Sequence, residues 1–275
     1  MRVSRGFAAV CGRIAETFPN VRTQQLMKTV GIIPARLQST RLPRKLLLDQ
    51  TGKPLIQYIW EVATACSVLD EVIVATDSQE IVDIVTGFGG RAEMTADHPS
   101  GSDRVAEVVA RSCSDADIIV NLQGDEPELE SETIAALVQA ITTSAAEMAT
   151  VAAPIDDPEI VTSSDCVKVV LDDHQNALYF SRSPIPFPRD RTVRELLAGG
   201  QASPWLLHVG LYAYRREFLL RMTSMAPSSL ELLEKLEQLR ALQSGATIAV
   251  AVIPQATVGI DTAADYAAFV QRQKT

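Results

Sequence analysis

"GIIPARLQSTRLPRKLL", residues 31–47, passes from an apolar start into a segment that carries Arg36, Ser39, Thr40, Arg41, Arg44 and Lys45. Val30 to Pro34 reads as a buried strand, and a polar cluster that begins where a strand ends marks the edge at which open α/β sheets bind ligands. The reading of this stretch therefore decides fold and function together. The same arrangement recurs downstream: a strand over 72–75 runs into Thr76 and Asp77, and one over 118–122 runs into "QGDEP" at 123–127. Three such clusters on one sheet edge point to a shared ligand.

Helix-period segments separate these strands. Pro54 to Cys66 puts Leu55, Ile59, Val62 and Cys66 on one face, and Gln79 to Phe88, Asp103 to Cys113 and Ser131 to Thr142 follow, the last with Ser131 as its N-cap. Arg91 to Met94 and Met148 to Ala153 add strands. The alternation predicts an α/β fold with a doubly wound, mainly parallel sheet covered on both faces. Beyond Ala153, "VKVVLD", "ALYFSR" and the proline-rich "SPIPFPRDR" predict a smaller antiparallel insertion over about 155–215. "HVGLYAYR" reads as a return to the sheet, and Leu230 to Gln243 as one amphipathic helix. A last strand, Thr247 to Ile253, precedes "TVGIDTAADY" and a closing helix.

With 275 residues, 47% of them apolar, the chain has enough material for a real core. Its formal charge of -9 argues against nucleic acid or an anionic membrane as partner, since both need an excess of positive charge. The basic loop near residue 40 is a local exception, suited to one small polyanion. Cys11, Cys66, Cys113 and Cys166 have no CxxC spacing, which predicts neither a zinc site nor a disulfide framework and fits a reducing cytoplasm. No apolar run has the roughly 18 residues of a membrane span. Residues 1–28 read as a dispensable or mis-assigned leader, with four arginines and one acid in the first 26, and 29–275 as the working domain.

Arg36, Arg41 and Lys45 supply charge for phosphate oxygens, with Ser39 and Thr40 as added donors. Asp125 follows a glycine directly after a strand, the placement of a hard-cation ligand, and such an ion needs a second carboxylate or a substrate phosphate. Asp261 is the candidate partner; its spacing serves equally well as the N-cap of the last helix. No GxxxxGK[ST], GxSxG or HExxH is present, "GFGG" at 87–90 follows a helix rather than a strand, and His98, His174 and His208 lack metal-ligand spacing.

Nine motifs in order, "IPAR" with "STRLPRK", "VATD", "MTADHPSGSDR", "VNLQGDEP", "VKVV", "ALYFSRSPIP", "HVGLYAYR", "LEQLR" and "GIDT", resemble those of the cytidylyltransferases that activate 3-deoxy-D-manno-octulosonate (Kdo), over about Val30 to Ala268. The resemblance implies that CTP and Kdo give CMP-Kdo and pyrophosphate, with Mg²⁺, by in-line attack of the anomeric hydroxyl on the α-phosphorus, for lipopolysaccharide synthesis. It implies Arg36, Lys45, Asp125 and Asp261 as the catalytic set and Asp125 and Asp261 as metal ligands. The nucleotide site it implies comprises Pro34, Ala35, Arg36, Ser39, Thr40, Arg41, Lys45, Asp77, Thr95, Ser100, Gly101 and Ser102. Kdo would meet Gln123, Arg182, His208, Tyr212, Glu237 and Gln238, with the planar Arg182 guanidinium on its carboxylate. A cytoplasmic homodimer with the insertion at its interface is also implied. The family usually has glycine where this chain has Arg44, and often threonine and glutamate at Ser102 and Asp103, so the loop geometry at Arg44 stays open. Two other readings stand beside this one: a cytidylyltransferase for 8-amino-Kdo or sialic acid, and a non-catalytic sugar-nucleotide-binding protein.

Overall fold

The computed structural model describes residues 27–39, 41–200, 202–257 and 259–274. Most of the expected leader, residues 1–26, and the candidate site residue Thr40 lie outside the described residues. Lys28, which the sequence reading gave to the leader, belongs to the folded body: its N–H donates to Asp117 Oδ2 at 2.8 Å and its Nζ to Asp115 Oδ2 at 2.8 Å.

The strands are β1 (Thr29–Ala35), β2 (Glu71–Thr76), β3 (Arg91–Met94), β4 (Ile118–Asn121), β5 (Met148–Pro154), β6 (Lys168–Leu171), β7 (Ala177–Ser181), β8 (Leu206–Arg215) and β9 (Ile248–Val252). The helices are α1 (Leu55–Ala65), α2 (Gln79–Gly87), α3 (Gly101–Ser112), α4 (Ser131–Thr142), α5 (Pro158–Thr162), α6 (Val193–Leu197), α7 (Arg216–Thr223), α8 (Ser229–Glu234), α9 (Gln238–Gln243) and α10 (Ala263–Arg272). Seven strands run in the order β3-β2-β1-β4-β8-β5-β9. β1 is parallel to β2 and β4, β2 to β3, and β5 to β9, while β8 runs antiparallel between β4 and β5. The expected mainly parallel, doubly wound sheet is the sheet observed.

Alternation along the strands decides what each face buries. In β1, Val30 and Ile32 pack with Val105, Val109, Phe218 and Leu219 of α3 and α7, whereas Ile33 and Ala35 pack with Ile56, Ile59, Ile134 and Leu137 of α1 and α4. Both faces are therefore dry, as the uninterrupted apolar run of a central parallel strand requires. α10 closes one end through Tyr266, Phe269 and Val270, which meet Leu55.

The antiparallel insertion is β6 with β7, and β6 also pairs with β8, whose ten residues return to the main sheet. Two local expectations are corrected. Leu230 to Gln243 is two short helices, because Lys235 takes a left-handed conformation with φ of 57° and breaks the ladder. The amphipathic period runs through that break, which is why pattern alone joins the two. Ser131 is the first residue of α4 and not its cap; the cap position is Glu130, without a side-chain bond, and Ser131 Oγ turns to Glu132 Oε2 at 3.1 Å.

Candidate active site

Chain order reverses between β1 and β4, since β2 and β3 lie to one side of β1 and β4 to the other. Carboxyl ends at such a point leave a crevice. A cavity of about 260 Å³ opens there, walled by Pro34, Ala35, Arg36, Ser39 and Lys45 of the first loop. Ser100 and Gly101, where α3 begins, and Gln123, Gly124 and Asp125 after β4 complete the wall with Arg104. Seven of the residues expected at the nucleotide therefore share one cavity: Pro34, Ala35, Arg36, Ser39, Lys45, Ser100 and Gly101. Gly124 permits the closeness, because a Cβ there would stand 3.2 Å from Leu46 Cδ2.

The loop enters that wall through Arg44, whose φ of 56° is left-handed. A glycine adopts this conformation freely and an arginine does not, which gives the usual family glycine its physical reason. Here Arg44 turns away from the cavity and pairs with Glu80, so it adds no phosphate contact from this position.

Lys45 is only 9% exposed, and its ammonium sits between two carboxylates, 2.5 Å from Asp125 Oδ2 and 3.1 Å from Asp261 Oδ1. Arg41 Nη2 lies 3.2 Å from Asp261 Oδ2, so Arg41 guards the rim rather than lining the cavity. The capping alternative for Asp261 falls to its neighbour: Thr262 caps α10 reciprocally with Asp265. Asp125 and Asp261 thus converge from two loops on a single cation. Two carboxylates beside a phosphate cavity are the donor set from which Mg²⁺ takes part of its shell, and among the described residues no group of three or more metal-ligating side chains exists to favour an all-protein site. The residues fit that ion.

Behind the cavity, Arg104 is 4% exposed and held by Asp77 Oδ2 at 2.7 Å and Thr95 Oγ1 at 2.5 Å. Asp77 and Thr95, expected to line the nucleotide site, instead orient the arginine that does. Sequence reasoning passed over Arg104 because one arginine in "SGSDR" looks like an exposed helix residue. Its signal is chemical: a strand-end aspartate needs a partner.

A second cavity, of about 480 Å³, continues from the first through the shared residues Gly101 and Gln123. It gathers Ser102, His208, Tyr212, Glu237 and Gln238. Arg182 is not among its walls. The Arg182 guanidinium is spent on backbone, with Nε donating to Glu234 O at 2.7 Å and Nη1 to Ser164 O at 2.9 Å. The cationic residue at this cavity is Lys235, which stands at the break between α8 and α9. Burial raises the Glu237 carboxyl above its ordinary range.

The His208 ring packs against Phe180 and Tyr212, and its Nε2 lies 3.0 Å from Thr150 Oγ1. Thr150 Oγ1 donates to Leu211 O at 2.8 Å, so the imidazole is the neutral tautomer that donates from Nε2. Burial depresses its pKa to about 3. An unfolded histidine takes up its proton near pH 6.5, so between these values the unfolded state binds the extra proton and stability falls as pH drops. His208 is expected to contribute a slope of about 1.4 kcal/mol per pH unit between pH 6 and 4.5. Urea midpoints of the wild type and His208→Asn across that range check it; parallel curves would refute it.

A basic loop, a helix N-terminus and two aspartates at the switch point of a doubly wound sheet make a site suited to a nucleoside phosphate. The family model for cytidylyltransferases matches residues 30–248. The 3-deoxy-manno-octulosonate cytidylyltransferase of Rhodopirellula baltica is 46% identical over 248 residues, covering 90% of this chain and 98% of its own. That of Geobacter sulfurreducens is 46% identical over 256 residues, with 90% and 100% covered. Among solved structures, a CMP:2-keto-3-deoxy-manno-octonic acid synthetase complexed with CTP superposes with a TM-score of 0.82 at 40% identity, covering 90% of this chain and 98% of that one. A 4-diphosphocytidyl-2C-methyl-D-erythritol synthase from Anaerococcus prevotii, at TM-score 0.60 and 12% identity over 91% of this chain and all of its own, shares the fold. The chain belongs to the 3-deoxy-manno-octulosonate cytidylyltransferase family.

Proposed function

We propose that the protein joins CTP to Kdo, releasing pyrophosphate and forming CMP-Kdo for lipopolysaccharide synthesis. The observation that carries this is the adjacency of the two cavities: a cationic one beside Asp125 and Asp261 shares Gly101 and Gln123 with one walled by Ser102, Asn121, Tyr212, Glu237 and Gln238. A triphosphate in the first presents its α-phosphorus toward a sugar in the second. The anomeric oxygen of Kdo then bonds to that phosphorus, the bond to the bridging oxygen of pyrophosphate breaks, and the hydroxyl proton passes to solvent. Arg36 and Lys45 offset the charge that builds on the phosphates, and positioning supplies much of the remaining acceleration. Asp125 and Asp261 would hold Mg²⁺, which would supply Lewis-acid charge neutralisation at the phosphates.

Several features support the setting of this reaction. No described helix is long and apolar enough to cross a membrane, and CTP is at hand in the cytoplasm, where we place the enzyme. Phe187 is 80% exposed and Leu178 61%, apolar surface that suits burial in a homodimer formed by the region around β7. Pyrophosphate release from CTP and Mg²⁺ with Kdo, beside tubes holding sialic acid, 8-amino-Kdo or no sugar, tests the function. Release with Kdo alone is expected. Release only with another acid would reassign the second cavity, and none with any acid from a folded, CTP-binding protein would overturn the transfer reaction.

A further inference from the structure

β4 reads Ile118, Ile119, Val120, Asn121, three aliphatic residues followed by an amide that remains 3% exposed. Asn121 sits mid-sheet, in register with Ile32 of β1 and Tyr212 of β8. Alternation sends it to the face of Ile119, the face covered by α3, α7 and α9. Its Oδ1 is buried and has no hydrogen-bond partner. A buried orphan of this kind requires an explanation, since nearly all such groups are satisfied.

Two further orphans are found among the described residues, Glu237 Oε1 and Gln238 Nε2, and all three residues wall the second cavity. Their convergence is what separates this cavity from the rest of the molecule. Two acceptors and one donor, with Glu237 a carboxyl, suit hydroxyl groups, each of which both donates and accepts. The polyol part of a ligand belongs against these three groups, and its acid group away from them.

We infer that Asn121 is a further substrate-binding and specificity-determining residue, whose carboxamide bonds a hydroxyl of the sugar acid; the inference rests on the proposed sugar-activating function. A polar side chain at this position in the sheet serves the bound state at the expense of the free one. An apolar residue of the same shape reverses that balance, because removing an unpaired buried group relieves the free protein.

Asn121→Leu, nearly isosteric, is the test, read by steady-state kinetics and by thermal unfolding without ligands. KM for Kdo is expected to rise about tenfold or more, as for a lost hydrogen bond in a buried site. KM for CTP stays within about twofold, and the unfolding midpoint equals or exceeds that of the wild type. A lower midpoint with an unaltered KM for Kdo would overturn the inference and make Asn121 a structural amide. Should Asn121→Leu fail to fold, Asn121→Ser is read instead: a raised KM for Kdo supports the role and a wild-type value refutes it. Absence of turnover by the wild type with Kdo would sink the underlying function, whereas a normal wild type beside a normal variant sinks this inference alone.

Discussion

Asp125→Asn is expected to slow pyrophosphate release about a thousandfold while the protein stays folded and still binds CTP. The amide keeps the size of the carboxylate and one oxygen for the Lys45 ammonium, which now stands 2.5 Å from Oδ2, and Lys45 keeps Asp261 at 3.1 Å. What is lost is a unit of negative charge at the point where two loops converge. On the proposed metal role, a divalent cation held by Asp125 and Asp261 would lose one of its few protein ligands, since an amide oxygen is a far weaker donor to a hard ion. Lys45 itself is buried, but the Asp125 and Asp261 side chains are 32% and 47% exposed, so solvent screens part of the change. Assay of turnover against Mg²⁺ concentration, with a thermal melt as control, checks the prediction. Near-normal turnover at ordinary Mg²⁺ would remove Asp125 from the metal role.

The sheet and its active edge were legible because both are written locally. Apolar runs of strand length, spaced by helix-period segments, admit few arrangements, and the clusters after β1, β2 and β4 had to emerge together once those strands were parallel neighbours. Convergence of Lys45 with Asp125 and Asp261 is different: it depends on contacts 80 and 216 residues apart, which spacing does not encode; the resemblance to a known family paired the two aspartates, and only the structure sets Lys45 between them. Where local pattern misled, the backbone made an exception. Lys235 breaks a helix whose amphipathic period continues undisturbed, and that break turns Glu237 and Gln238 into the second cavity. Arg182 shows the opposite limit. Its residue type suits a carboxylate, but competing carbonyls at Ser164 and Glu234 hold it, and only three-dimensional proximity reveals them.

Lys168 carries the second large expectation. It is fully buried, and its ammonium donates to Ser163 O at 2.7 Å, Arg182 O at 2.6 Å and Cys166 O. Burial lowers its pKa, so charge is retained there only because three carbonyls converge on it. Those carbonyls come from the turn ahead of β6 and from the end of β7, and the ammonium ties the two together. Asp165, Cys166 and Val167 of that turn also wall the second cavity. Lys168→Met keeps the length of the side chain but leaves three carbonyls without a donor, a loss of about 1–3 kcal/mol for each, partly offset because the ammonium no longer has to be desolvated. A net destabilisation of about 3–5 kcal/mol is expected, a large share of the roughly 5–15 kcal/mol that holds a domain together. Because the turn shapes the sugar wall and not the phosphate loop, KM for Kdo should rise several-fold while KM for CTP holds. Urea unfolding and steady-state kinetics below the unfolding transition measure both parts. An unshifted urea midpoint would mean that water replaces the ammonium at all three carbonyls, and equal changes in the two KM values would mean that the turn does not act through the sugar cavity.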